Sequence, residues 1–183
     1  MAKSVVAFSL AEFDPSYTRV LIGDADFRYT DFTNLGTLEV ITGNANFHNS
    51  KIKNLGNLTT IGGYADFDNS KVENLGNLTT IGRHSHFSFS QIKNLGNLTT
   101  IVGSAYFNDS KVENLGNLNT INGNADFSDS QVEDLGNLTT IGGNAYFFDS
   151  KIKNLGNLTM IEGNIYFADR TDLEAEWEKR KNK

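Results

Sequence analysis

The sequence predicts a mainly β protein, a parallel β-solenoid of seven full 20-residue coils with an N-terminal cap and a C-terminal capping helix. Three observations lead to this prediction. Apolar residues fall into columns with a period of 20 residues, which is typical of a solenoid. One short stretch in each unit alternates outward and inward side chains. The stem "NLGNL" recurs in register with the columns, at Asn54, Asn74, Asn94, Asn114 and Asn154.

Residues 1–20 break the repeat and are the predicted N-terminal cap. They contain the only proline, Pro15, and four apolar side chains that can cover the first coil, namely Val5, Phe8, Leu10 and Phe13. The apolar run in "MAKSVVAFSLAEF" is short and is followed at once by acidic residues, so we interpret it as folded structure rather than a signal peptide. A cytoplasmic location is therefore expected.

Residues 21–170 form the predicted solenoid. In "YADF", Ala65 and Phe67 point inward, which is the period of a short strand. Stacked units then give a parallel sheet with strands about 4.8 Å apart. Gly63 precedes the strand, where a turn or a close backbone approach is expected, and Gly56 marks a second bend. The serine column of Ser70 and the asparagine columns of Asn54 and Asn57 are expected to bond backbone groups in the turns.

Residues 171–183, "TDLEAEWEKRKNK", are the predicted capping helix and tail. Thr171 and Glu174 have the spacing of a capping box. Leu173 and Trp177 lie four residues apart on one helical face, and this only tryptophan is expected to close the last coil.

The repeat resembles a known family. Read from Ala65, the pattern A-x-F-x-x-S-x-V-x-x-L-x-x-L-x-x-I is similar to the leucine-rich-repeat frame L-x-L-x-x-N-x-L, with Ser70 in place of the ladder asparagine. "NLTTIGG" followed by a short strand resembles the receptor L-domain version, and the short repeats of bacterial and phage type are the most similar. The resemblance covers about 140 residues. It implies a binding scaffold and leaves the ligand open.

Composition excludes several functions. The chain has 22 acidic and 16 basic residues, and this excess of negative charge argues against non-specific binding to nucleic acid. The absence of cysteine excludes disulfides and cysteine nucleophiles, and no apolar run reaches the roughly 18 residues of a membrane span. No nucleophile elbow or phosphate loop is present, so neither an enzyme nor a cofactor is predicted. A turn explains the recurring acids better than acid–base chemistry does: Asp109, Asp129, Asp149 and Asp169.

The outward strand positions vary most between units, so function is expected there. The predicted partner-binding residues form one face: Tyr64, Asp66, His84, His86, Tyr106, Asp126, Tyr146, Phe148 and Tyr166. Tyrosine is favoured at interfaces, and the neighbours Tyr146, Phe148 and Tyr166 are the expected anchor. The alternative is that aromatic and polar residues simply suit exposed strands.

The unit with "IGRHSHFSFS" is the outlier, because Arg83 replaces a glycine and Ser85 an alanine. His84 and His86 point outward with Asp66 beside them, and His-x-His with a carboxylate can hold a divalent metal. Exposed strand histidines are more often simply polar, so no metal is predicted and these three residues are only candidate ligands.

The sequence therefore predicts a non-enzymatic scaffold that recognises a protein through the variable face. Phage-like repeats imply an intracellular inhibitor of a host enzyme or defence complex. Carbohydrate binding is the alternative, since aromatic, Asp and Asn side chains suit sugars. An ice- or mineral-binding surface is a third possibility, suggested by the paired columns of Thr59 and Thr60. The oligomeric state stays open.

Overall fold

The structure, a computed structural model, describes residues 6–181. Its regular elements are 17 two-residue strands and one helix. In chain order they are β1 (Val6–Ala7), β2 (Val20–Leu21), β3 (Ala25–Asp26), β4 (Val40–Ile41), β5 (Ala45–Asn46), β6 (Thr60–Ile61), β7 (Ala65–Asp66), β8 (Thr80–Ile81), β9 (Ser85–His86), β10 (Thr100–Ile101), β11 (Ala105–Tyr106), β12 (Thr120–Ile121), β13 (Ala125–Asp126), β14 (Thr140–Ile141), β15 (Ala145–Tyr146), β16 (Met160–Ile161), β17 (Ile165–Tyr166) and α1 (Thr171–Lys181).

The strands form two parallel sheets that run the length of the stack. Sheet A has nine strands, ordered β1-β2-β4-β6-β8-β10-β12-β14-β16, and sheet B has eight, ordered β3-β5-β7-β9-β11-β13-β15-β17. Neighbouring strands from β2 onward pair with a register shift of 20 residues, as in Thr60↔Thr80 and Ala65↔Ser85. A third line of single bridges, such as Asn54↔Asn74, joins successive coils. The predicted parallel β-solenoid is confirmed.

Sheet A was not predicted from the sequence. Alternation in "YADF" indicated one sheet, but the Thr60 position pairs as regularly as the Ala65 position. Each strand of sheet A has one outward and one inward residue, which is too short for a period of two to be visible. The strand within "YADF" is also shorter than predicted, since only Ala65 and Asp66 pair.

The core is a continuous column of phenylalanine rings flanked by the leucine and isoleucine columns. Successive rings from Phe27 to Phe167 lie 4.9–5.7 Å apart and are parallel within 13°. This spacing follows the separation of paired strands, about 4.8 Å, because each ring is attached to a strand end. A single coil has nothing to cover its ring, so the coils are stable only as a stack.

Two kinds of bend turn the chain between the sheets. Gly56 has φ +62°, in the left-handed region, and its N–H donates to Asn54 Oδ1 at 2.6 Å. The predicted bend and the role of the Asn54 column are thereby confirmed. The second bend has Asn or Asp at positive φ, as at Asn69 (φ 53°), Asp109 (φ 53°) and Asp149 (φ 47°). In the last coil Ala168, and not Asp169, takes this conformation.

The predicted hydrogen bonds of the serine column do not form. The hydroxyls of Ser50, Ser70, Ser90, Ser110 and Ser130 are buried and have no partner within residues 6–181. The tight turn explains this, because each backbone N–H already donates to a main-chain carbonyl, as Ser70 N–H does to Phe67 O at 3.0 Å. Ser150 alone is contacted, by the Arg170 guanidinium at 3.2 Å.

The N-terminal cap adds β1 to sheet A and lays Phe13 over the first coil. The Phe13 ring is buried and meets Phe27 and Phe32 edge to face, at 6.1 and 5.1 Å. Leu10 packs partly against the core. The prediction for Phe8 was wrong: it is 70% exposed, because Ala7 takes the inward position of β1. Val5 lies outside the described residues.

The C-terminal helix α1 closes the other end. Leu173 and Trp177 are buried against the last coil, which confirms the predicted lid. The predicted capping box does not form, because the helix already includes Thr171 and the Glu174 N–H donates to Arg170 O at 3.1 Å. Within residues 6–181 the structure has no helix long and apolar enough to cross a membrane.

Candidate functional site

The outward side chains of sheet B form the candidate site. Alanine and phenylalanine occupy the inward positions of most coils, with Ser85 and Ile165 replacing the alanine in two of them, so the residue between these positions faces solvent. We call this surface the B face; its central column is Asp26, Asn46, Asp66, His86, Tyr106, Asp126, Tyr146 and Tyr166, and the columns of Asp24 and Arg28 flank it. Strand register places these residues next to one another, as in Asp66↔His86 and Tyr146↔Tyr166.

Three aromatic side chains gather at the C-terminal end of the B face. The Tyr146 and Tyr166 rings are 4.8 Å apart and parallel within 3°. Phe148 lies 6.3 Å from each of them and is 39% exposed. The structure thus brings together the three residues expected to act as an anchor, and we call them the aromatic cluster.

A second aromatic contact lies in the middle of the same face. The His86 and Tyr106 rings stack at 4.7 Å with an interplanar angle of 24°. Asp126 adjoins Tyr106 on the next strand, so a carboxylate separates this contact from the aromatic cluster.

The flanking column that begins at Asp24 has a structural role. Asn44 Oδ1 accepts the Tyr64 N–H at 2.9 Å, and Asn124 Oδ1 accepts the Asn144 N–H at 2.8 Å. Asp24, His84, Ser104 and Asn144 likewise accept the N–H of the residue one coil later, at 2.7–3.0 Å. Variation here preserves an acceptor near the backbone, so it does not by itself indicate recognition.

Tyr64 is the exception in this column, and it accounts for the outlying unit. A Cβ at Gly63 would lie 2.2 Å from Asn44 Oδ1, so the acceptor side chain requires a glycine in the next coil. Tyr64 has no oxygen near its backbone. In the next coil the position equivalent to Gly63 is Arg83, which has a Cβ. The Arg83 N–H still donates to Gly63 O, at 3.1 Å, so the backbone bonds between coils continue past this Cβ.

The candidate metal ligands are close in sequence but poorly arranged. His84 Nδ1 accepts the Ser104 N–H at 2.9 Å, which occupies one of its two nitrogens. His86 stacks on Tyr106. Between residues 6 and 181 no group of three or more His, Asp or Glu side chains is placed to hold a metal ion.

Asp68 is the one carboxylate on the B face with a raised pKa. Burial is the main cause of the raised pKa, and repulsion from Asp66 adds to it. The carboxylate accepts the Ser88 N–H at 2.7 Å, and Asp66 Oδ1 accepts the Asp68 N–H at 3.0 Å. These two bonds fix the positions of both carboxylates on the B face.

Two exposed aromatic residues were missed in the sequence. Phe89 (φ 55°) and Tyr29 (φ 58°) occupy the left-handed bend, and they are 56% and 86% exposed. This conformation is unfavourable for bulky residues, and most other copies have Asn or Asp there. The departure of Phe89 from that column was the available signal. Both side chains therefore combine an unfavourable backbone conformation with an exposed aromatic ring.

The two threonine columns of sheet A differ in their environment. The hydroxyls of Thr59, Thr79, Thr99, Thr139 and Thr159 donate to carbonyls of the preceding coil at 3.0–3.4 Å. The Thr60 column faces outward from sheet A. Both columns are at least partly exposed, but the hydroxyls of the Thr59 column are already bonded to the stack.

The fold and the site define a class: a β-solenoid repeat protein whose core columns are uniform and whose B face varies. Comparison with family models, curated proteins and solved structures gives no match to this chain. Function is therefore inferred from the surface itself.

Proposed function

We propose that this chain is a non-enzymatic scaffold that recognises another protein through the B face. The observation that carries the proposal is the aromatic cluster of Tyr146, Phe148 and Tyr166. Large aromatic side chains are enriched at the centres of protein interfaces, because they bury much area and lose little rotamer entropy.

The rigid support of the cluster strengthens the proposal. Tyr146 lies between Ala145 and Phe147, which are completely buried, so its backbone has little freedom. Its ring is further held by Tyr166 and by the Asn144 amide, whose Nδ2 lies 3.2 Å from the Tyr146 hydroxyl. A preorganised surface loses less conformational entropy on binding, which favours affinity.

The charge of the face indicates the kind of partner. Asp66 and Asp126 lie in the central column, and the whole chain has a net charge of -6. Arg28 is paired with Asp26 at 2.7 Å, so it adds little positive potential. A partner with a basic or mixed surface and an apolar patch complements this face.

Carbohydrate binding remains the alternative, and ring orientation gives it less support. A sugar stacks on the flat face of an aromatic ring. Here the rings of Tyr146 and Tyr166 face each other at 4.8 Å and present mainly their edges. Ice or mineral binding is supported less, because of the two threonine rows within residues 6–181 only the row of Thr60, Thr80, Thr100, Thr120 and Thr140 is without hydroxyl bonds to carbonyls of the preceding coil.

We further propose that the coils are a leucine-rich-repeat variant of bacterial or phage type. The support is the resemblance of the 20-residue unit to that frame, with the inward Ala65 and Phe67 in the strand positions. In this proposal the chain acts inside a cell, where it inhibits a host enzyme or defence complex by covering its surface.

The experiment captures a partner from a lysate of the source organism, identifies it by mass spectrometry, and measures its affinity by calorimetry. Replacing Tyr146 and Tyr166 with serine is expected to weaken binding by about 2 kcal/mol or more, some thirtyfold. The loss of one aromatic pair lowers stability by only about 0.5–1.5 kcal/mol. The matched control replaces Thr120 and Thr140 of sheet A with serine and should bind as the parent does. Equal affinity of the tyrosine variant and the parent would refute the proposal.

A further inference from the structure

The C-terminal edge of sheet B has unused hydrogen-bonding groups. At the preceding junction Ala145 N–H donates to Asn164 O and Phe147 N–H to Tyr166 O, both at 2.9 Å. The equivalent donors in the last coil are Ile165 and Phe167. Strand β17 ends the sheet, so within residues 6–181 these two N–H groups have no strand to which they can donate.

Acceptors at the same edge continue the pattern. Gly143 O accepts the Gly163 N–H at 3.0 Å, and Asn144 Oδ1 accepts the Asn164 N–H at 2.8 Å. In the last coil Gly163 O and Asn164 Oδ1 stand in the equivalent positions. The edge therefore repeats the donors and acceptors that join successive coils elsewhere in the stack.

Helix α1 leaves this edge uncovered. Two arginines at its ends bind carbonyls elsewhere in the preceding coil: Arg170, just before the helix, donates to Ser150 O at 2.7 Å, and Arg180, in its last turn, donates to Gly156 O at 2.8 Å. Between the helix and β17 lies a groove of about 320 Å³, lined by Gly163, Ile165, Phe167, Glu174 and Trp177 among others. Ile165 and Phe167 are partly exposed there, whereas Ala145 and Phe147 are completely buried.

We propose that this groove binds one extended strand of another protein, which adds to sheet B beside β17. This second site adjoins the C-terminal end of the B face, because strand β17 also carries Tyr166. Main-chain bonds to an unpaired strand edge provide affinity in this mode of recognition, and side-chain pockets provide specificity.

The chain's own junctions define the sequence that fits. A Cβ at Gly143 would lie 2.4 Å from Asn124 Oδ1, and one at Gly163 2.5 Å from Asn144 Oδ1. The added strand must therefore have glycine at the position that lies beside Gly163, one coil further along the stack. Two and four residues later the strand meets Ile165 and Phe167, so a small apolar residue and an aromatic residue belong there. The predicted pattern is G-x-A-x-F.

A single strand fits this edge better than a second copy of the chain does. Gly23 to Phe27 reads "GDADF" and matches the pattern. However, the N-terminal cap precedes that coil, with β1 paired outside β2 and Phe13 packed on Phe27. Helix α1 packs on the core of the last coil at the other end, beside the open edge of β17, so the two caps keep the matching strands of two copies apart. The exposed carboxylates Glu162 and Glu174 near the groove favour a strand flanked by lysine or arginine.

The test uses a synthetic peptide with the sequence of Gly143–Phe148 flanked by lysines, and follows amide hydrogen exchange by NMR. Ile165 and Phe167 N–H should exchange rapidly in the free protein and at least about tenfold more slowly with saturating peptide. A peptide with valine in place of its glycine should have no effect. If both peptides slow the amide exchange of Ile165 and Phe167, or if neither does, the proposal is wrong.

Two protein variants complete the design. Ile165→Pro removes one donor and should abolish peptide binding, while Ile165→Val retains the donor and should bind as the parent does. If Ile165→Pro does not fold, Asn164→Leu removes the acceptor and should weaken binding about tenfold. Self-association that Ile165→Pro abolishes would make a second copy the occupant and overturn the proposal. Tyr106→Ser changes the B face away from β17 and should leave peptide binding unchanged. The proposal for this groove and the proposal for the B face are therefore tested independently.

Discussion

The glycine that precedes each strand of sheet B should be indispensable wherever an acceptor side chain lies beneath it. The perturbation is Gly143→Ala. The new Cβ would lie 2.4 Å from Asn124 Oδ1 and 2.8 Å from both Asn124 N and Gly123 C. Separations below 3 Å require the side chain to rotate away and the backbone to move.

The expected loss of stability has two parts. Displacing Asn124 breaks its hydrogen bond to Asn144 N–H, which is 2.8 Å long, and an unpaired buried N–H costs about 1–3 kcal/mol. Overpacking costs about 1–3 kcal/mol more. Alanine also lowers the conformational entropy of the unfolded chain, which stabilises the folded state by about 0.4–1 kcal/mol. The net loss is about 3 kcal/mol, which lowers the melting temperature of a chain of this size by about 6–12 °C.

The assay is thermal and urea denaturation of a double-mutant cycle with Asn124→Ala. Alanine at position 124 removes the clashing oxygen, so Gly143→Ala should be less damaging by at least about 1 kcal/mol in that background. Tyr64 and Arg83 are the natural precedent for this pairing. A melting temperature within 2 °C of the parent, or additive effects of the two substitutions, would refute the reasoning.

Three further predictions concern the cap, the serine column and Asp68. Trp177→Ala should uncover the last coil, lower the melting temperature and promote end-to-end association in analytical ultracentrifugation; an unchanged melting curve with a monomeric profile would exclude the capping role. Ser90→Ala removes a buried hydroxyl that has no partner, so urea denaturation should show equal or higher stability, by up to about 1 kcal/mol; a loss above that size would reveal a hydrogen bond. Burial, and then repulsion from Asp66, raise the pKa of Asp68 above 3.8. The folded state therefore binds this proton more tightly than the unfolded state does. The free energy of unfolding consequently falls as the pH rises from 3.8 through the raised pKa. Asp68→Asn should therefore melt higher than the parent at pH 7 and equally below pH 3.8, and a lower melting temperature at pH 7 would contradict this sign.

The uniform columns made the fold predictable. Phe67 and Ala65 repeat because each packs on its counterpart one coil away, so the sequence period is the structural period. Sheet A escaped prediction because a strand such as Thr60–Ile61 has only one inward residue, and a period of two needs more. The missing hydrogen bonds of Ser70 could not be foreseen, because they depend on which backbone groups the turn has already paired.

The candidate site was predictable in part. Tyr146 and Tyr166 were expected to be adjacent because they are 20 residues apart at an outward position, and their rings do stack. The structural role of the Asn44 column was hidden, since Asn, Asp, His and Ser share an acceptor rather than a shape. Phe89 was missed because it lies in the bend rather than at an outward strand position. Its unusual feature there is the positive φ.

The most direct measurement for the central claim is photo-crosslinking from each of the two sheets to the captured partner. A benzoylphenylalanine replaces Asp126 on the B face in one variant and Thr120 on sheet A in the other. Both positions are half-buried and belong to the same part of the stack, so reactivity and stability are matched. Recognition through the B face predicts a crosslink from position 126 and none from position 120. A crosslink from position 120 alone would contradict it.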